Sequence, residues 1–154
     1  MPKEPVKKTL YVDPQNLHAY STGLLQGKAY SRLHKYLTCT LIPFGVSIPE
    51  WKLLGQLHEH GKMRLAELAE YLSYDPPMVT KLVKRLEKKA MVKRAEDKYD
   101  ERAKVITITN EGRILINNTE PLVKMAMGKI LEGISKEELV TYLKVLTVIV
   151  NNTK

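Results

Sequence analysis

Asp75-Pro76-Pro77-Met78-Val79-Thr80-Lys81-Leu82-Val83-Lys84-Arg85-Leu86-Glu87-Lys88-Lys89 is the stretch on which the fold turns. Asp75 before proline is a helix start: an aspartate cap, then proline at the first helical position, where no backbone N–H is needed. Val79, Leu82, Val83 and Leu86 follow at i, i+3, i+4 and i+7, the spacing of one buried stripe. At about 100° per residue, the opposite face carries Pro77, Lys81, Lys84 and Lys88, flanked by Thr80 and Arg85. From Lys81 to Arg94 the chain has seven cations and one anion, Glu87, which is +6 of its formal +8. A solvated helix face ordinarily mixes both signs. A lysine-rich surface helix is the plain alternative, and the sequence on either side argues against it.

Upstream, Arg64 to Leu72 is rich in helix formers, with Leu65, Leu68, Ala69 and Leu72 on one stripe, and only Ser73-Tyr74 separates it from Asp75. Before that, Ser47-Ile48-Pro49-Glu50 has the pattern of a capping box opening a short helix through Trp51, Leu54 and Leu57, closed by Gly61. Downstream the period changes. Met91 to Arg94 and the β-branched Lys104-Val105-Ile106-Thr107-Ile108 read as a two-stranded ribbon with a polar tip at 96–101. Two short helices joined by a tight turn and followed by a ribbon make a mainly α winged helix-turn-helix. Its second helix would meet the major groove of duplex DNA. Lysines there suit phosphates, Arg85 a guanine edge, and Thr80 a base or a thymine methyl. In the ribbon, Asp100 and Arg102 lie on one strand side, so the carboxylate can hold a guanidinium suited to the narrow minor groove. A surface ion pair is the alternative. Lys98 and Lys104 complete the predicted contacts.

Flanking helices complete the subunit. Asp13-Pro14 opens a helix to about Thr40 behind an extended arm at 1–12, with Gly23 and Gly27 weakening it. Thr109 caps a long helix with bends suggested at Pro121 and near Gly128, and Ser135 opens a last one from about Lys136 to Val150. That last helix is apolar over most of its circumference, so a second subunit is expected to cover it. The predicted organisation is an arm and dimerisation helix at 1–42, the winged domain at 47–108 and C-terminal dimerisation helices at 109–154.

Composition bounds the function. The 154 residues suffice for one compact domain with extensions, and 27% charged residues exclude a membrane core. The longest apolar run, Leu143 to Val150, holds Lys144 and is too short to span a bilayer. The lysine-bearing start has no apolar segment behind it, so no secretory signal is expected. A single cysteine fits a reducing cytoplasm. No Gly-rich phosphate loop, G-x-S-x-G or zinc-finger spacing occurs, so neither enzyme, metal nor cofactor is expected. His58 and His60 fall on different helix faces, and a shared metal would need His18 or His34 from elsewhere. Cys39 has only Lys35 nearby to activate it, so a buried thiol is expected over a redox sensor. Tyr30, Tyr36 and Trp51 (with Tyr20), together with Lys28 for an anion, are candidates for a small aromatic or anionic effector. Core or dimer packing is the competing reading of those aromatics.

The stretch Asp100-Glu101-Arg102 through Ile108-Thr109-Asn110-Glu111-Gly112 resembles the D-x-R-(x)n-L-T-x-x-G signature of the MarR-type transcription factors, with Ile108 in place of leucine. Pro43 to Trp51, Leu68-Ala69-Glu70 and Val79 to Lys88 are similar to that family's approach to its second helix and to its helix-turn-helix. The likeness covers residues 33–114 closely. It implies a triangular homodimer joined by the flanking helices, bound to a pseudo-palindromic operator, with Arg102 in the minor groove oriented by Asp100. Such a protein would regulate transcription, most simply as a repressor. A sequence-tolerant architectural DNA binder and a basic module docking an acidic protein are the alternatives. One departure stands out: the family commonly has glycine after the recognition helix, and this chain has Lys89-Ala90-Met91. A left-handed cap without glycine is strained, so a differently built exit into the wing is expected. The acidic tip (Glu96, Asp97, Asp100, Glu101) is expected to weaken non-specific wing contacts.

Overall fold

Helix α1 spans Ala19–Leu41 and ends in a single 3-10 turn, Ile42–Phe44. Then come α2 (Ile48–His60), β1 (Lys62–Arg64), α3 (Leu65–Leu72), α4 (Pro76–Lys88), β2 (Val92–Glu96), β3 (Lys104–Ile108), α5 (Asn110–Ile130) and α6 (Lys136–Asn152). The computed structural model describes residues 19–100 and 103–153, with side chains from residue 23 onward. The arm, the Asp13-Pro14 cap, His18, the Tyr20 side chain and Arg102 lie outside the described residues.

Local chemistry accounts for the helix boundaries. Asp75 caps α4 by accepting the Met78 N–H at 2.7 Å. Ser47 and Glu50 form the full capping box of α2, and Ser135 and Glu138 that of α6. The tight turn between α3 and α4 runs through Ser73 in the left-handed region, φ 54°. Helix α5 is unbroken through Pro121 and Gly128, the two positions that suggested bends.

The four stripe residues of α4 are the centre of the core: Val79, Val83 and Leu86 are 0% exposed and Leu82 is 4%. Leu53, Leu54 and Leu57 of α2, Leu68 of α3 and Ile106 of β3 pack into the same cluster. Helix α5 is tied to α2 by Trp51, whose indole N–H donates to the Thr119 hydroxyl at 2.9 Å. Thr119 is fully buried and donates its own proton to the Leu115 carbonyl at 2.8 Å.

The ribbon is the antiparallel pair β2 and β3, in register from Val92 opposite Ile108 to Glu96 opposite Lys104. Strand β1, for which the sequence reading had no element, pairs antiparallel on the other side of β3, so the sheet order is β1-β3-β2. Three residues are too few to show an alternation. The flanking helices behave differently from the winged core. Helix α6 buries no residue against its own chain, and Tyr142, Leu143, Val145, Val148 and Val150 are each about half exposed.

Candidate nucleic-acid interface

With its apolar stripe turned into the core, α4 presents the opposite face outward. Pro77, Lys81, Lys84, Arg85 and Lys88 are all exposed. None of these four cations has an acidic side chain within ion-pair distance among the described residues. Pro77, Lys81 and Lys84 frame a shallow depression at the start of the helix, where no amide is left over for an anion: Pro76 and Pro77 have no N–H, and those of Met78 and Val79 donate to Asp75. Thr80 is half-buried there. Its hydroxyl donates to the Pro76 carbonyl at 2.9 Å, which leaves its oxygen as an acceptor but commits its proton to the helix.

Two cations of the run do other work. The Lys89 ammonium donates to the Gly45 carbonyl at 2.7 Å and to Glu50 Oε1 at 2.9 Å. Glu50 is only 3% exposed, and its other oxygen accepts the N–H and hydroxyl of Ser47 at 2.8 and 2.9 Å. Burial pushes this carboxyl upward. The Ser47 amide, the Lys89 ammonium and the Ser47 hydroxyl outweigh it and hold the group below the usual carboxylate range. Lys89 thus tethers the end of α4 to the start of α2 and leaves the outward array. Arg94 reaches back from β2 to Glu87 at 3.5 Å. Both tethers escaped the sequence reading: Glu50 was legible as a cap but nothing local pointed to a partner 39 positions away.

The exit of α4 corrects the expectation drawn from the missing glycine. Ala90 itself takes the left-handed conformation, φ 57°. Its N–H donates to the Glu87 carbonyl and the Met91 N–H to that of Leu86, both at 2.9 Å, the paired bonds of a Schellman cap. The cap is therefore the usual one, built on alanine. It is held from outside by Thr109, whose hydroxyl donates to the Ala90 carbonyl at 2.7 Å and accepts the Gly112 N–H at 3.2 Å. A β-carbon at residue 112 would collide with the Met91 carbonyl and lie 2.7 Å from Ile108 Cγ1. The T-x-x-G spacing is thus the geometry of three segments meeting: helix exit, wing root and the start of α5.

In the wing, Lys98 is exposed and Tyr99 is 94% exposed. Lys104 pairs with Glu96 at 2.7 Å, and Asp97 with Arg64 at 3.0 Å. Glu96 and Asp97 of the tip are therefore neutralised within the protein. Asp100 is exposed and carries its carbonyl bond to the Ala103 N–H at 2.9 Å.

The effector candidates are not gathered into one cavity. Lys28, Tyr30 and Tyr36 are exposed on α1, and Tyr30 borders a depression with His34 and Cys39. Trp51 lines a different one, of about 720 Å³, between α2, α3 and α5, with Gln56, Tyr71, Ile116 and Glu120. Cys39 is exposed, correcting the buried thiol expected of it, because α1 packs on its own chain chiefly through its last turn and Leu41. Among the described residues no three metal-ligating side chains converge, and no helix is long and apolar enough to cross a membrane.

A helix-turn-helix with a cationic second helix and an adjoining β wing defines the winged-helix class of nucleic-acid-binding domains. The chain belongs to the MarR family, whose model matches residues 46–104. It is 37% identical over 103 residues to the uncharacterized HTH-type transcriptional regulator YwoH of Bacillus subtilis (strain 168), covering 66% of this chain and 69% of that one. To the HTH-type transcriptional repressor MdtR of the same organism it is 30% identical over 95 residues, 62% of this chain and 61% of MdtR. The match thus spans about three fifths of MdtR's length. The fold is similar to that of Sco3205, a MarR family transcriptional regulator from Streptomyces coelicolor solved in complex with DNA. There the TM-score is 0.82 at 22% identity, with 92% of each chain covered.

Proposed function

We propose that this protein is a homodimeric regulator of transcription that binds a pseudo-palindromic duplex operator, acts in the cytoplasm as a repressor and catalyses no reaction. One observation carries the reading: Lys81, Lys84, Arg85 and Lys88 stand outward together, unpaired among the described residues, opposite a stripe that is fully buried. Two copies of that face about 34–36 Å apart would enter successive major grooves. The dimer is supported by the apolar surface of α6, which its own chain leaves open, and residues 1–42 and 109–154 are its dimerisation segments. In the wing, Arg102 oriented by Asp100 is the minor-groove contact, and Lys98 and Lys104 are further DNA contacts, Lys104 by exchanging Glu96 for a phosphate. A small aromatic or anionic effector near Trp51, with Lys28, Tyr30 and Tyr36 brought in from α1 by dimer formation, would release the operator. The relatives' names as repressor and regulators agree with this reading.

The test is operator binding by Lys84→Ala and Arg85→Ala. Loss of a base-specific contact weakens binding by about 1–3 kcal/mol and relaxes preference at one position. Loss of a phosphate contact flattens the slope of log K against log salt by about 0.9. Wild-type affinity in both variants refutes the proposal. Competition with random duplex separates it from an architectural binder, since a specific regulator prefers its site by about a thousandfold or more.

A further inference from the structure

Arg64 stands where β1 ends and α3 begins. Its backbone pairs opposite Val105 of β3, and its N–H donates to Glu67 Oε2 at 2.7 Å, closing the first turn of α3. Its side chain reaches the wing: Nε donates to Asp97 Oδ2 at 3.0 Å. Asp97 is the first residue of the wing turn, with a side chain 11% exposed. Its other oxygen accepts the Tyr99 N–H at 2.9 Å, and its own N–H donates to the Ala103 carbonyl at 3.0 Å. One carboxylate therefore holds the bend of the wing turn and also the first residue of the helix-turn-helix, 33 positions earlier in the chain.

A two-stranded ribbon projecting from a domain is soft along its length, because an isolated hairpin is marginally stable in water. The Glu96–Lys104 pair lies within the ribbon and stiffens it without aiming it. The Arg64–Asp97 pair joins ribbon to helix-turn-helix. We infer that Arg64 and Asp97 are a positioning pair that sets the angle between the wing and α4, so that both meet a duplex in one register. The inference rests on the DNA-binding reading above. An ion pair this accessible adds little to global stability. Holding the wing in its bound posture beforehand, by contrast, removes an ordering cost from association.

The competing role is direct: the Arg64 side chain is 45% exposed, and its guanidinium has further donors that a phosphate would accept. A double-mutant cycle separates the two roles. Arg64→Met, Asp97→Asn and the double variant are titrated against a duplex that the unaltered protein selects from a random pool. Asparagine keeps an oxygen for the Tyr99 N–H while removing the charge. Each single change should weaken binding about three- to tenfold, and the double change no more than either, as expected of residues acting through one contact. Discrimination should fall among sites differing in the outer flanks and persist among sites differing within the half-site that α4 reads. Without DNA, hydrogen exchange at the Asp97 and Ala103 amides should accelerate in every variant while α4 keeps its protection. Additive losses, or a loss in Arg64→Met that Asp97→Asn lacks, would make Arg64 a direct contact and overturn the inference. Unchanged exchange in the wing would overturn it too. If the unaltered protein selects no duplex, the DNA-binding reading fails and the positioning role falls with it. The exchange measurement still decides whether the pair holds the wing.

Discussion

Replacing Ala90 by glycine should make the protein more stable. Ala90 sits at φ 57° with its side chain exposed, so deleting the methyl group sacrifices no burial. An L-residue in the left-handed region costs about 1–2 kcal/mol relative to the right-handed one. Glycine avoids that cost but widens the unfolded ensemble, returning about 0.4–1 kcal/mol. Within limits of about 0 and 1.6 kcal/mol, the net gain centres on about 0.8 kcal/mol. For a chain of this size that raises the midpoint of thermal unfolding by about 1–4 °C. The measurement is urea denaturation at fixed protomer concentration, because a dimer's midpoint moves with concentration. A higher midpoint at unchanged m-value is the expected result. Ala90→Val, a β-branched residue at the same φ, should move the midpoint the other way. If glycine is destabilising at unchanged m, residue 90 is not left-handed and the Schellman cap described above is wrong.

Three further outcomes follow from the same junctions. Gly112→Ala should destabilise by about 1–3 kcal/mol or more, since the colliding partner is the Met91 backbone and cannot swing away; calorimetry reads it directly. Lys89→Met leaves the buried Glu50 carboxylate without its ammonium and should cost about 1–3 kcal/mol, discounted because Lys89 is one-third exposed; adding Glu50→Gln should recover part of the loss. Glu50 also has a signature in pH. Its folded carboxyl titrates below the unfolded one, so its contribution is complete above the unfolded value, about pH 4–5, and disappears as pH falls through the folded value. The stability of Glu50→Gln should therefore decline less steeply than wild type over that acid range.

How much of this was legible beforehand depended on the distance over which each interaction acts. The α4 stripe, the Asp75, Ser47, Thr109 and Ser135 caps and the β2–β3 ribbon were all readable. The residues that make each of the helical features lie within one or two turns of one another. Strand β1 was invisible because Lys62–Arg64 has no pattern of its own and becomes a strand only by pairing with β3. The exposure of Cys39 and the separation of Tyr30 from Trp51 depend on how α1 departs from the winged core, and no periodicity in α1 encodes that departure.

From its order of residues alone, this chain determined a winged helix-turn-helix with a cationic face on its second helix, because helical spacing and capping act between near neighbours. Folding decided which cations remain on that face. Lys89 lies in the same run as Lys84 and Lys88, yet its ammonium is taken by Glu50 and the Gly45 carbonyl. Arg64 looked like the first residue of a helix and is bound to the wing. A charge repeats in sequence whether or not it has a partner. Whether it stays free for DNA is settled by a carboxylate 33 or 39 residues away, and only the packed molecule brings the two together.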